Sequence, residues 1–246
     1  FKPWTSAPIA TAEEILKYMG EVIDENDLGK HIRYQHKILS AKWSTADKQW
    51  TIEAQRTDTG EKRTFTANFL WMCQGYYRHS EGYTPTWDGM DRFEGPIVHP
   101  QTWPEDLDYA GKKVVVIGSG ATAVTLVPAM AGTAGHVTML QRTPTYVLSV
   151  PGTDPIDQRL RKVLPHRGSY TVSRWKHVLV STGLYQLSRK RPDTLRGILR
   201  RATVKALPEG YDVDVHFKPP YDPWEQRLCL VPDGDLFKAI SAGRAE

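Results

Sequence analysis

Gly118, Gly120 and Ala123 stand directly behind the apolar run Val114-Val115-Val116-Ile117, and this is the stretch best suited to chemistry. A β-branched run of that kind predicts a strand buried on both faces of a parallel sheet. Gly118 can make the tight turn off the strand, Gly120 lets the backbone approach a pyrophosphate, and Ala123 lets the next helix pack closely. Together they form the G-x-G-x-x-A dinucleotide pattern. Ser119, Ala121 and Thr122 complete a turn whose free N–H groups, at the start of a helix, would hold the pyrophosphate. A helix-compatible segment, Thr122 to Met130, and a second apolar strand, Val137 to Leu140, close a βαβ unit. Pro128 falls inside that helix, where proline costs about 3 kcal/mol, so a kink or a late start is expected, with Gly132 and Gly135 ending the helix.

The end of the second strand bears on which cofactor binds. An NAD site places an acid there for the ribose 2′-hydroxyl, whereas this chain has Gln141, Arg142 and Thr143. A guanidinium suits a 2′-phosphate, which points to NADPH; the plainer alternative is a solvated arginine at a strand end. Arg227, just before the apolar run Leu228 to Val231, reads on residue type alone as a salt-bridge partner of Glu225. His99 lies in a proline- and aromatic-rich connection, Gly82 to Pro104, where a single histidine is more often structural than catalytic. Tyr109-x-x-x-Lys113 has the spacing of a short-chain dehydrogenase base, but it precedes the cofactor turn and contains Gly111, so Lys113 begins the strand.

The elements that must position these groups follow from pattern and punctuation. Thr11 to Glu14 matches a capping box, and Ile15, Tyr18, Met19, Val22 and Ile23 recur at helical spacing, predicting a helix over about 12–25. Strands are expected at 32–39, 50–56 and 63–67, an antiparallel meander with a turn at Asp58-Thr59-Gly60. Phe69 to Cys73 reads as a return to a buried strand, with Cys73 a small buried residue. From about 154 to 206, apolar residues at spacings of three and four predict several short helices broken near Pro165, Gly183 and Pro192, and residues 208–224 read as an irregular loop.

With 246 residues and 40% hydrophobic content, the chain can build one large or two small domains. Two distant cysteines, Cys73 and Cys229, and scattered histidines predict neither a disulfide framework nor a metal site, and fit a reducing cytoplasm. No apolar run approaches the roughly 18 residues of a membrane span. Because the chain starts at Phe1, it is read as an internal piece of a longer protein. Its net charge of +4 conceals an asymmetry: residues 157–205 hold 13 Lys and Arg against Asp157 and Asp193, giving +11 there and −7 elsewhere. The simpler reading of this block is solvated helix faces, and a membrane-surface role is the minority one. Nucleic acid is disfavoured because no aromatic platforms are arranged for bases.

Phe93-x-Gly95-x-x-x-His99-x-x-x-Trp103-Pro104, placed just before the glycine turn, resembles the identifying sequence of the Baeyer–Villiger monooxygenases, a branch of the class B flavoprotein monooxygenases. Cys73-Gln74-Gly75-Tyr76-Tyr77, the segments His99 to Tyr109 and Val114 to Ala131, and Pro223 to Phe237 are similar to that family as well. The resemblance implies an α/β fold, in which a Rossmann-type parallel-sheet NADPH domain with a helical insert is attached to part of an FAD domain carrying an antiparallel β-meander. The implied boundaries are 1–104 for the partial FAD domain and linker and 105–246 for the NADPH domain. It implies FAD and NADPH as cofactors, O2 as co-substrate, and insertion of one oxygen atom beside a ketone or onto sulfur. His99 falls on the family's linker histidine, Arg142 and Thr143 on its 2′-phosphate site, and Arg227 on its active-site arginine. These 246 residues carry a single dinucleotide fingerprint, so the FAD phosphate cradle is expected upstream and this piece is expected to be inactive alone. The alternatives are a flavin-free NADPH-dependent reductase and an NADPH-binding module without activity.

Overall fold

The structure, a computed structural model, describes residues 9–246 and contains two compact units, one of residues 12–102 and one running from Trp103 to Glu246. The first unit opens with α1 (Ala12–Glu25), whose first turn carries Glu13 and Glu14 where a carboxylate complements the helix dipole. Its apolar residues Ile15, Leu16 and Met19 are exposed. Three antiparallel strands follow, β1 (His36–Ser44), β2 (Gln49–Arg56) and β3 (Lys62–Ala67), in the order β1-β2-β3. Alternation along β2 buries Ile52 and Ala54 on one face, and Trp43 and Trp50 pair across β1 and β2 with centroids 5.6 Å apart. Strand β1 starts later than its apolar pattern predicts because Gln35 takes a left-handed conformation (φ 59°), and Gly60 (φ 73°) makes the β2–β3 turn.

One strand expected from sequence is not formed. Phe69 to Cys73 is irregular, Phe69 and Trp71 are 77% and 79% exposed, and Cys73 is exposed rather than buried. The segment has no neighbouring strand to pair with among the described residues, and a run reading as a buried strand becomes one only where both edges and faces are supplied.

In the second unit β4 (Lys113–Ile117) and β5 (His136–Leu140) run parallel, joined by α2 (Ala121–Ala131). The helix begins immediately after Gly120 and continues through Pro128, so no late start occurs. Gly135 is sterically required: a Cβ there would lie 2.4 Å from the Gly111 carbonyl oxygen. A second parallel pair, β6 (Tyr146–Val150) and β7 (Leu228–Pro232), leads into α7 (Asp235–Ser241), after which the chain returns so that Ala245 bridges Val137 of β5. Val124, Val127, Val137, Val231 and Leu236 form the centre of the core between α2, α7 and these strands. Strand β4 is covered on one face only: Val114 and Val116 face the core, whereas Val115 and Ile117 are 58% and 59% exposed. The expectation of burial on both faces fails because α2 supplies a single layer.

Between β6 and β7 lie α3 (Pro155–Val163), α4 (His166–Lys190), α5 (Pro192–Ala206) and the single turn α6 (Val213–His216). Pro165 and Pro192 mark helix boundaries as read from sequence, but Gly183 does not break α4, since an isolated glycine costs only about 1 kcal/mol relative to alanine. Asp154 caps α3 by accepting from the N–H groups of Ile156 and Asp157, and it ties α3 to α4 through Lys176 and through His177 Nε2 at 2.9 Å.

Candidate functional site

The glycine turn has the local geometry that its residue types require. Gly118 adopts φ 136°, open to glycine and strained for any side chain, and a Cβ on it would lie 3.9 Å from the Ala123 Cβ. Ala123 is buried, so its small side chain sets how closely α2 approaches the turn. Gly120 is the N-cap of α2, with no side-chain cap and no acid in the first turn. The N–H groups of Ala121, Thr122 and Ala123 therefore face outward as donors, and the positive end of the helix dipole lies behind them. That combination favours an anion with several oxygens.

Parallel pairing brings the second half of the site to the same edge. Ile117 pairs with Leu140, and the Gly118 N–H donates to the Leu140 carbonyl at 2.8 Å, so Gln141 and Arg142 emerge beside the turn. Ser119 Oγ donates to the Thr143 carbonyl at 2.8 Å and lies 3.1 Å from Thr145 Oγ1, which fastens the turn to the segment after β5. The Ser119 hydroxyl thus braces the two halves of the edge. Gln141 Nε2 donates to the His216 carbonyl at 2.8 Å, while Arg142 is exposed and makes no ion pair among the described residues.

Arg227 joins this edge. A Cβ on Gly120 would lie 2.3 Å from Arg227 Nη1, so the guanidinium rests against the N-cap of α2. The expected salt bridge to Glu225 is absent among the described residues; Glu225 Oε2 instead accepts from the Asp222 N–H at 2.9 Å. Its neighbour Cys229 is buried, and burial pushes the thiol pKa up, so it remains protonated at neutral pH. A cavity of about 570 Å3 also lies in this unit, but its cations are satisfied: Arg196 pairs with Asp193 and Asp222, and Arg200 with Asp214.

His99 belongs to the first unit, half-buried at the turn Pro100–Thr102. Its ring lies on Gly82, where a Cβ would fall 2.1 Å from His99 Cε1, and Phe93 likewise folds over Gly95, at 2.7 Å. The Gln101 N–H donates to His99 Nδ1 at 3.2 Å, which leaves Nε2 as the proton-bearing nitrogen of the neutral ring. Gly82 carried no motif signal, because the contact forms between residues distant in sequence. Tyr109 packs edge-on to Trp103 at 6.3 Å and shares no helix with Lys113, the first residue of β4. No cluster of His, Cys, Asp or Glu among the described residues could hold a metal ion.

Uncapped N–H groups, an unpaired Arg142 and a second guanidinium on one sheet edge fit a dinucleotide carrying an extra phosphate. The turn between β4 and α2 is the one strand-to-helix turn among the described residues that carries the G-x-G-x-x-A pattern. Residues 8–167 match the flavin-binding monooxygenase-like family. The chain belongs to that family. It is 53% identical over 248 residues to the FAD-containing monooxygenase EthA of Mycolicibacterium smegmatis, covering 100% of this chain and 50% of that protein. The FAD-containing monooxygenase EthA of Mycobacterium tuberculosis is 50% identical over the same span, again with half its length covered. In fold the chain is similar to an oxidised steroid monooxygenase bound to NADP, with a TM-score of 0.74 at 24% identity, over 99% of this chain and 52% of that one. The chain thus spans about half the length of the curated relatives it matches.

Proposed function

We propose that this chain supplies the NADPH-binding domain and part of the FAD domain of a monooxygenase that transfers one oxygen atom from O2 to a ketone, as a Baeyer–Villiger enzyme, or to sulfur. In this reading residues 1–104 belong to the FAD domain and its linker, and residues 105–246 form a Rossmann-type NADPH domain with its helical insert. The observation that carries the reading is the convergence of the α2 N-terminus, Arg142 and Arg227 on one sheet edge. The N–H groups of residues 121–123 bind the pyrophosphate, Arg142 with Thr143 selects the 2′-phosphate, and Ser119 holds these two parts in register. NADPH supplies the hydride when bound. Arg227 is a fixed cation where negative charge develops on oxygen, and a guanidinium stays protonated when water is excluded. His99, held on Gly82, orients the linker.

The EthA relatives, named as FAD-containing monooxygenases, and a solved neighbour bound to NADP support the cofactor pair; a small-molecule substrate and a cytoplasmic location belong to the same proposal. The reductase alternative loses its base, because Tyr109 and Lys113 do not share a helix. Turnover of the full-length protein with NADPH under isotopically labelled O2 tests the reading, using a thioether and a cyclic ketone. Label in a sulfoxide or an ester is the expected result. Unlabelled alcohol from the ketone, with stoichiometric NADPH consumption, would show a reductase.

A further inference from the structure

Helix α4 reverses the usual amphipathic arrangement. Its buried residues are Ser169, Ser173 and Ser188, all small and polar, and Ser173 Oγ donates to Asp157 Oδ1 at 2.7 Å. Val172, Trp175 and Leu179, at helical spacings of three and four, form an apolar stripe exposed by 47%, 60% and 67%, and Val180, on the serine side, is exposed as well. The helix contains no acidic residue, while Arg167, Arg189 and Lys190 lie along it exposed. Its surroundings share that sign, with 13 Lys and Arg against two Asp between residues 157 and 205. At the helix's C-terminal half Tyr185 stacks edge-on against Trp224 at 6.4 Å, with both rings about half exposed.

An apolar stripe on a long helix, with cations that outnumber the Asp154 and Asp157 carboxylates touching it and with half-exposed aromatic rings, matches a helix lying in the plane of an interface. At 25 residues α4 is about 37 Å long, yet no described helix is apolar enough to cross a bilayer. A nucleic-acid backbone would cover the cations and leave the stripe in water. An anionic lipid surface satisfies both at once, since acyl chains take Trp175 and Leu179 while headgroups take the cations. We propose that α4 docks this protein on anionic membrane surfaces, with Val172, Trp175 and Leu179 inserted below the headgroups. The proposal does not depend on the monooxygenase reading.

Co-sedimentation of the chain with vesicles of phosphatidylcholine alone, and with added phosphatidylglycerol, tests it. Binding should be at least about tenfold stronger to the anionic vesicles and should weaken in high salt. The double substitution Trp175→Ser, Leu179→Ser should reduce binding about tenfold or more while leaving the circular dichroism spectrum unchanged, since both residues are exposed. As a check independent of that variant, brominated lipid should quench wild-type tryptophan fluorescence, and Trp175→Phe should bind normally but lose most of the quenching. Equal binding to both vesicle types, or no binding to either, would overturn the proposal. So would a stripe that instead holds two copies together, seen as a dimer that the double variant converts to monomer without vesicle binding.

Discussion

Arg142 and Arg227 are two cations at one sheet edge, neither held by an acid among the described residues, and their proposed tasks separate by experiment. If Arg227 stabilises charge developing on oxygen, Arg227→Ala in the full-length protein should lower oxygenated product by about a hundredfold or more while NADPH consumption continues. Product yield measured beside NADPH loss decides it, and unchanged yield would remove Arg227 from the chemistry. Ser119 acts differently, through two short contacts to the segment after β5. Ser119→Ala should lower stability by about 0.5–1.5 kcal/mol, seen in urea unfolding, and weaken NADPH and NADH binding alike. At this scale the sequence was informative about backbone and poor about partners. Gly118 and Ala123 were legible because a tight turn and close helix packing are local demands. The approach of Arg227 to Gly120 and of His99 to Gly82 was not, because long-range folding creates both contacts.

At the scale of elements, the βαβ unit depends on a glycine that the dinucleotide pattern does not include. Gly135→Ala would drive a methyl onto the Gly111 carbonyl oxygen, and backbone cannot swing aside as a side chain can. A loss of about 1–3 kcal/mol is expected, read as a lower melting temperature, and an unchanged value would mean that the β4–β5 approach is looser than described. The helical insert has its own anchor. Burial pushes the Asp154 carboxyl pKa up, but Lys176 and the N–H groups of Asp157 and Ile156 outweigh this and hold it below the ordinary 3.8. Its contribution is therefore complete above that value and is lost as pH falls through the lower folded-state one. Melts between about pH 5 and pH 3 should show Asp154→Asn flattening the acid-side decline. Helix boundaries at Pro165 and Pro192 were readable because proline forbids continuation, whereas Gly183 only weakens a helix.

For the whole molecule, the misread strands share a cause. Phe69 to Cys73 and the outer face of β4 carry residues typical of buried strands, yet Trp71, Val115 and Ile117 are exposed. Composition records what a segment is suited to bury, and the chain spans about half the length of its curated relatives. With a single G-x-G-x-x-A pattern, the purified chain should be colourless; stoichiometric flavin absorbance would place an FAD site that the present account lacks. The most direct test of the account is calorimetric titration of the chain with NADP+ and NAD+, for wild type and Arg142→Ala. The wild type should bind NADP+ at one site, about tenfold or more tighter than NAD+, and Arg142→Ala should erase that preference while leaving NAD+ affinity nearly unchanged. Equal affinities in the wild type, or equal losses for both dinucleotides in the variant, would contradict the assignment of this sheet edge as an NADPH site.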